Sequence, residues 1–329
     1  MPDASTNPHR LPSFVVPSHY RISLEPNLDE ATFSGSVEIE VEVGQATDNI
    51  QINSADLQIS SAMVRDAIGG ETTASGVEHD EKMERATLSF DSELKSGPYT
   101  IVAEFTGILN DQLHGFYRSV FTDDDGVEHT IATTQFESTH ARRAFPCFDE
   151  PAFKASYGVT LVVPEDQFAV SNGPDISTTD LGDGRKSILF EDTMVMSTYL
   201  VAFIVGPFEA TEPVDVDGVP LRIVHPIGKG HLTDYSLEAG AFALKFFSKY
   251  YGIPYPGQKL DMVAVPDFAF GAMENLGCIP YREVLLLVDK SRSTEPELLR
   301  VADVIAHEIA HMWFGDLVTM EWWNGIWLN

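Results

Sequence analysis

From about residue 14 to residue 208 the dominant hydrophobic period is two, and almost nothing in that stretch reads as helix. Ser36 to Val43 alternates without a break, with Val37, Ile39, Val41 and Val43 on one side and Ser36, Glu38, Glu40 and Glu42 on the other. That is a strand with one wet face. Similar runs occur at Tyr20 to Leu24, Ala86 to Phe90, Tyr99 to Phe105, Gly158 to Val163, Ser187 to Phe190 and Tyr199 to Val205, separated by Gly, Pro, Asn and Asp clusters. Many short strands at this spacing predict an antiparallel sandwich or saddle-like sheet assembly.

The period changes near residues 206 to 220, where Gly206-Pro207 and the Pro213 to Gly218 stretch interrupt the alternation. Thr233 to Tyr251 carries Tyr235, Ala239, Phe242, Phe246 and Tyr250 in steps of four and three, then Gly252, which predicts an amphipathic helix and its cap. Leu260 to Val265 and Val284 to Val288 are predicted strands on either side of a glycine-containing loop. A second helix is predicted over 294 to 314, because Thr294 and Glu297 form a capping box, Pro296 stands in the first turn, and Gly315 follows. The expected architecture is α+β and multidomain: an all-β domain over 1–208, then a mixed α/β region over 209–329.

The second helix carries His307, Glu308 and His311 in an H-E-x-x-H pattern. On an α-helix positions i and i+4 lie about 40° apart around the axis and about 6 Å apart along it, so both imidazoles can reach one metal ion, with Glu308 beside it as a base. Two histidines and a glutamate buried as ordinary core would be costly without a metal or several partners. A catalytic zinc site needs three protein ligands and one open position, so a third ligand must come from elsewhere.

Charge narrows the partners. Twenty-one Lys and Arg against fifty Asp and Glu give a formal net charge of −29, which argues against nucleic acid and anionic membrane surfaces. A solubilising acidic surface is the simpler reading, and adaptation to saline surroundings the weaker one. Cys147 and Cys278 read as buried free thiols. The N-terminus lacks the apolar core of a signal peptide, and the longest apolar run, Tyr199 to Val205, is too short to span a bilayer, so a cytoplasmic protein with no membrane partner is expected.

Between the predicted strands lies Gly271-Ala272-Met273-Glu274-Asn275, which followed by His307-Glu308-x-x-His311 resembles the aminopeptidase N family of zinc metallopeptidases, the gluzincin aminopeptidases. Gly115-Phe116-Tyr117-Arg118-Ser119, Thr134-Gln135-Phe136-Glu137, the Ala141 to Pro151 segment, and Trp313-Phe314-Gly315 through Trp322-Trp323-Asn324 extend the resemblance over nearly the whole chain. It implies that the mixed region is the first part of a thermolysin-like catalytic domain. It further implies that Glu274 and Glu137 hold the free α-ammonium of a peptide substrate, with Gly271, Ala272, Met273 and Asn275 lining the same loop. His307 and His311 would ligate Zn²⁺, one per full-length chain, and Glu308 would act as the general base. His140, Met312, Asp316 and Gly325 stand where the family commonly has Asp, Gln, Asn and Asp.

The family's third zinc ligand is a Glu after eighteen intervening residues, within a Trp-Leu-Asn-Glu sequence. Counted from His311, those residues are Met312 to Asn329, so the ligand is expected at position 330. The expectation is a C-terminally truncated aminopeptidase, the chain itself inactive or nearly so. A thermolysin-like endopeptidase and a non-catalytic peptide-binding fragment are the alternatives, the first opposed by Glu274 and Glu137.

Overall fold

The computed structural model describes residues 7–123 and 125–329. Four sheets and two long helices make up these residues. The largest sheet has eight strands in the order Asp175–Asp180, Arg185–Phe190, Ser156–Pro164, Val15–Asn27, Thr32–Val43, Gly97–Ile108, Gln58–Asp66 and Glu71–Thr73. A three-stranded sheet joins Thr47–Asn53, Arg85–Leu94 and Gly76–Asp80, and a four-stranded one joins Phe168–Ser171, Phe203–Gly206, Glu128–Gln135 and Gly115–Thr122. The period-two reading is borne out here: Val37, Ile39, Val41 and Val43 are 0–3% exposed, and Ile22 and Tyr20 face Val37 and Ile39 across the antiparallel ladder.

One pair departs from the antiparallel expectation. Val15–Asn27 and Ser156–Pro164 run parallel, with Ile22 opposite Val159. The chain between them builds the three-stranded sheet and two strands of the four-stranded one, Gly115–Thr122 and Glu128–Gln135, before returning, which is the long crossover that a parallel pair requires. The run Tyr199 to Val205 also splits, into a 3-10 turn at Thr198–Leu200 and a strand beginning at Phe203, all of it buried.

The fourth sheet is α/β in character. Val219–Pro226, Leu260–Val265 and Cys278–Arg282 are parallel neighbours, with Phe208–Ala210 and Val214–Val216 antiparallel on the first of them. Helix α1 spans Asp234–Tyr251 and ends at Gly252 with φ 67°, as its C-cap glycine predicted. Helix α2 spans Glu295–His311 and begins in the predicted capping box of Thr294 and Glu297. Its buried residues, Val301, Val304, Ile305, Glu308 and Ile309, recur at helical spacing. Among the described residues no helix is long and apolar enough to cross a membrane.

Three expectations are corrected. The strand predicted at Val284 to Val288 lies earlier, at Cys278–Arg282, and Glu283–Leu285 is a 3-10 turn. A short apolar run does not by itself distinguish strand from turn, and Pro280 is tolerated because on the outer edge of this strand it serves as an acceptor, taking a hydrogen bond from Met273 N. Helix α2 stops at His311, short of residue 314, and tight turns lead to Gly315. On α1 the buried face is Ser236, Gly240, Ala243 and Leu244, while Phe242 and Tyr250 stand 71% exposed. At Gly240 a Cβ would meet the Met262 side chain at 2.6 Å, so the helix lies on the sheet along its small residues, with Phe242, Phe246 and Tyr250 on its outer face.

Candidate active site

The last turn of α2 brings His307 and His311 together. Their Nε2 atoms are 3.1 Å apart and their rings are nearly perpendicular, at 86°. His311 Nδ1 lies 2.9 Å from the Phe314 carbonyl oxygen, which can only accept, so in the neutral form the ring donates there and its Nε2 is left as the nitrogen that accepts a hydrogen bond or binds a metal. Burial, reinforced by His311, pushes the His307 pKa below its ordinary value, which favours the neutral form of that ring. Two ligands at about 2.05 Å on a tetrahedral metal stand roughly 3.3 Å apart, so this pair fits a zinc ion without rearrangement. An oxygen of Glu274, an oxygen of Glu308 and a ring nitrogen of His311 lie within 4.8 Å of one another.

Around the imidazoles sits an excess of carboxyl groups. Burial pushes Glu308 up to about 9, with Glu274 and Glu137 adding to the effect. Glu137, carried just past the strand Glu128–Gln135, is pushed up to about 7 by burial and then by Glu274, while His311 draws it down. Glu274 is raised chiefly by burial, and it accepts a hydrogen bond of 2.8 Å from Asn329 Nδ2. Asp316 is fully buried, neither of its carboxylate oxygens has a partner, and burial with Glu274 holds it well above the usual carboxylate range. Four acids sharing one pocket cannot all ionise without positive charge, and a pocket of this kind favours cations.

The loop 271–277 lies along the strand Cys278–Arg282. Arg282 N donates to Gly271 O at 2.9 Å, Met273 N to Pro280 O at 3.0 Å, and Ala272 bridges Tyr281. Residues 271–273 are therefore extended before the chain turns at Met273 to Cys278, in a geometry that offers their outer edge to another extended chain. The side chains of the predicted loop residues divide. Glu274 lies near His311 and Glu308. Met273 is 1% exposed and contacts Gln135 Nε2 through its sulfur at 3.6 Å. Asn275 points away from the histidines and donates to the carbonyls of Tyr199 and Val201 at 3.2 and 3.4 Å.

At the end of the loop Gly277 has φ +72°, and a Cβ there would lie 2.4 Å from the Asn172 carbonyl oxygen. Gly277→Ala is expected to cost about 2–4 kcal/mol, since it adds left-handed strain to a clash with backbone. Chemical denaturation of both proteins checks this, and equal midpoints would refute it.

Several residues at the site carried no sequence signal. Tyr199 donates to Gly315 O at 3.2 Å and stacks edge-on against Trp323. The Tyr281 hydroxyl is buried without a partner, and Lys154 Nζ caps the carbonyls of Asp316 and Leu317. Tyr199 sits inside an apolar run and Lys154 among turn residues, where neither pattern nor spacing singles them out.

Comparison with known proteins bears on this arrangement. The peptidase M1 N-terminal domain matches residues 16–200, and the peptidase family M1 domain matches residues 235–329. The chain is 45% identical over 320 residues to aminopeptidase M1-C of Oryza sativa subsp. japonica, covering 97% of this chain and 36% of that protein. It is 41% identical over 326 residues to endoplasmic reticulum aminopeptidase 1 of Homo sapiens, covering 98% and 35%. It is 40% identical over 329 residues to the puromycin-sensitive aminopeptidase of Caenorhabditis elegans, covering 100% and 35%. The chain thus spans little more than a third of the length of the curated relatives it matches. On both family matches, which lie either side of the turn from sheet to helix, this chain belongs to peptidase family M1.

Proposed function

We propose that this chain carries the metal-binding and amine-binding part of a zinc aminopeptidase, which removes the N-terminal residue from peptides. The observation that carries the reading is the convergence of the His307 and His311 Nε2 atoms, 3.1 Å apart, with His311 also grouped with Glu308 and Glu274. His307 and His311 would hold the zinc, which when bound polarises the scissile carbonyl and lowers the pKa of its water to about 7. Bound cations would bring the neighbouring carboxyls back to their ionised form. Glu308 then accepts a proton from the attacking water and returns it to the departing amine. Glu274 and Glu137 bind the substrate's α-ammonium through charge-assisted hydrogen bonds, which an internal peptide nitrogen cannot make. Gly271 to Met273 hold the substrate backbone at their extended edge.

The described residues offer zinc two imidazoles, while both nearby carboxylates are assigned to other work. We therefore propose that the 329-residue chain retains zinc weakly and turns over slowly or not at all. The division into an all-β domain over 1–208 and a catalytic portion over 209–329 belongs to the same proposal. So do peptides with a free N-terminus as partners, rather than nucleic acid or membrane, which rests on the net charge of −29. A cytoplasmic location belongs to the same proposal, and cell fractionation tests it, since one relative is named for the endoplasmic reticulum.

Blocking the substrate amine provides the decisive test. The zinc-loaded chain is expected to bind a short peptide at least about tenfold more tightly than its N-acetylated form, because acetylation removes the ammonium that two carboxylates share. Equal affinity for the two, measured by calorimetry, would exclude an amine-recognising site and favour an endopeptidase-like groove.

A further inference from the structure

Lys259 is almost fully buried, at 5% exposed, yet it belongs to no part of the site described above. Its ammonium has three protons and spends all of them: on the carbonyl of Ser171 at 2.7 Å, on Asp261 Oδ2 at 2.8 Å and on the carbonyl of Gly277 at 2.8 Å. The simplest account is a buried ion pair with Asp261. Arg222 already meets that carboxylate with two nitrogens, at 2.8 and 3.1 Å, so neutralising Asp261 does not require Lys259. The two carbonyls come from different regions of the chain. Ser171 ends a strand of the four-stranded sheet, whereas Gly277 closes the loop that bears Glu274.

Asn172, next to Ser171, repeats the arrangement. Its Nδ2 donates to Leu276 O and Leu200 O, both at 2.8 Å, and its Oδ1 accepts from Ala202 N at 2.9 Å. Gly277 permits the close approach at this seam. The consequence concerns the two acids. Glu137 follows the strand Glu128–Gln135, in the same sheet as Ser171, while Glu274 lies three residues before Gly277 on the other side of the seam. The separation between Glu137 and Glu274 is therefore set by how the seam closes.

We infer that Lys259 is a positioning residue, which ties the end of the 271–277 loop to the four-stranded sheet and so sets the spacing of Glu274 and Glu137 for an amine. The inference rests on the proposed aminopeptidase reading. The full 329-residue chain, zinc-loaded, is compared with Lys259→Met and Arg222→Met by two measurements: hydrogen–deuterium exchange of the amides of residues 273–278, and affinity for leucinamide against N-acetyl-leucinamide.

Lys259→Met is expected to speed exchange and to weaken leucinamide binding by about tenfold each, with zinc affinity within about twofold, because the loop loses its tie and the metal helix does not. Arg222→Met should stay within about twofold of the parent in both, because it leaves both carbonyl contacts of Lys259 intact. Unchanged exchange and affinity in Lys259→Met, or equal losses in Arg222→Met, overturn the inference. Should Lys259→Met not fold, Lys259→Gln, which keeps one donor group, takes its place. A loss of about threefold is then expected, and none overturns the inference. A parent chain that binds both amides equally refutes the aminopeptidase reading, and the exchange measurement still decides the role of Lys259.

Discussion

Replacing His311 by alanine is expected to abolish stoichiometric zinc binding, whereas replacing Glu308 by glutamine leaves zinc affinity within a few-fold and removes residual peptide hydrolysis. His311 is the better-prepared ligand, because its Nδ1–H is held by the Phe314 carbonyl and its Nε2 lies 3.1 Å from that of His307. Without it, one imidazole and a crowd of protonation-prone carboxyls remain, a poor match for a metal that prefers a tetrahedral nitrogen-rich set. Loss of a ligand of this kind lowers affinity by well over the roughly 10–100-fold seen when only a supporting hydrogen bond is removed. Glu308→Gln keeps the shape and removes the base, at a cost of about 10²–10⁴ in rate for any turnover the chain retains.

The supporting turn gives the intermediate case. Gly315 has φ +137°, and a Cβ there would lie 3.2 Å from His311 Nδ1 and 2.6 Å from Asn329 Oδ1. Gly315→Ala is expected to fall within that 10–100-fold range. Competition titration with a zinc chelator ranks the three variants. Zinc binding by His311→Ala equal to that of the parent would place the metal elsewhere.

Melting in the presence of a chelator is expected to show the opposite of ordinary alkaline tolerance: the metal-free chain loses stability steadily between about pH 5 and pH 9. Glu137, Glu274, Glu308 and Asp316 all have folded-state pKa values above their ordinary ones, and that direction fixes the sign. Below the unfolded pKa both states hold these protons, and the groups cost nothing. Above it the unfolded chain releases protons that the folded chain keeps, up to about 7 for Glu137 and about 9 for Glu308, so unfolding becomes progressively easier across that window.

Each tenfold strengthening of proton binding by the folded state is equivalent to about 1.4 kcal/mol, so the cluster can remove several kcal/mol by pH 9, a fall in Tm of roughly 5–15 °C. Asp261, lowered by Lys259 and Arg222 against the cost of its burial, acts in the other direction and only in acid, where its stabilisation is lost as pH falls through its depressed pKa. Net charge of −29 also opposes folding at high pH, but salt screens surface repulsion far more than it screens a buried cluster. The slope is therefore expected to persist at high ionic strength, to shrink in Asp316→Asn, and to be reversed by zinc. A Tm that is flat from pH 5 to pH 9 would refute the clustering of these acids.

Much of the local geometry of the His307-Glu308-His311 cluster was legible beforehand. The capping box, the i and i+4 histidines and the glutamate between them are local, and the 3.6-residue period of the backbone delivers them to one face whatever surrounds the helix. The extended loop before it was legible as a motif, but the division of its side chains was not. Asn275 and Glu274 are adjacent in sequence, yet one is tied to Tyr199 and Val201 and the other lies near His311 and Glu308. The aromatic period of α1 was legible as a helix, but the face it buries was not, because periodicity reports that a stripe exists and not which neighbour covers it.

What the sequence by itself determined is the set of local geometries: one-faced strands, two capped helices, and a pair of imidazoles able to share a cation. Those depend on residues within a few positions of one another. The tertiary structure alone decided the chemistry of the carboxyls and the seam that positions them. Desolvation depends on what packs against a side chain, and Glu137 lies more than a hundred residues from Glu274 in the chain. Lys259 likewise gains its role only because Ser171 and Gly277, at sequence separations of 88 and 18, are folded onto a single ammonium.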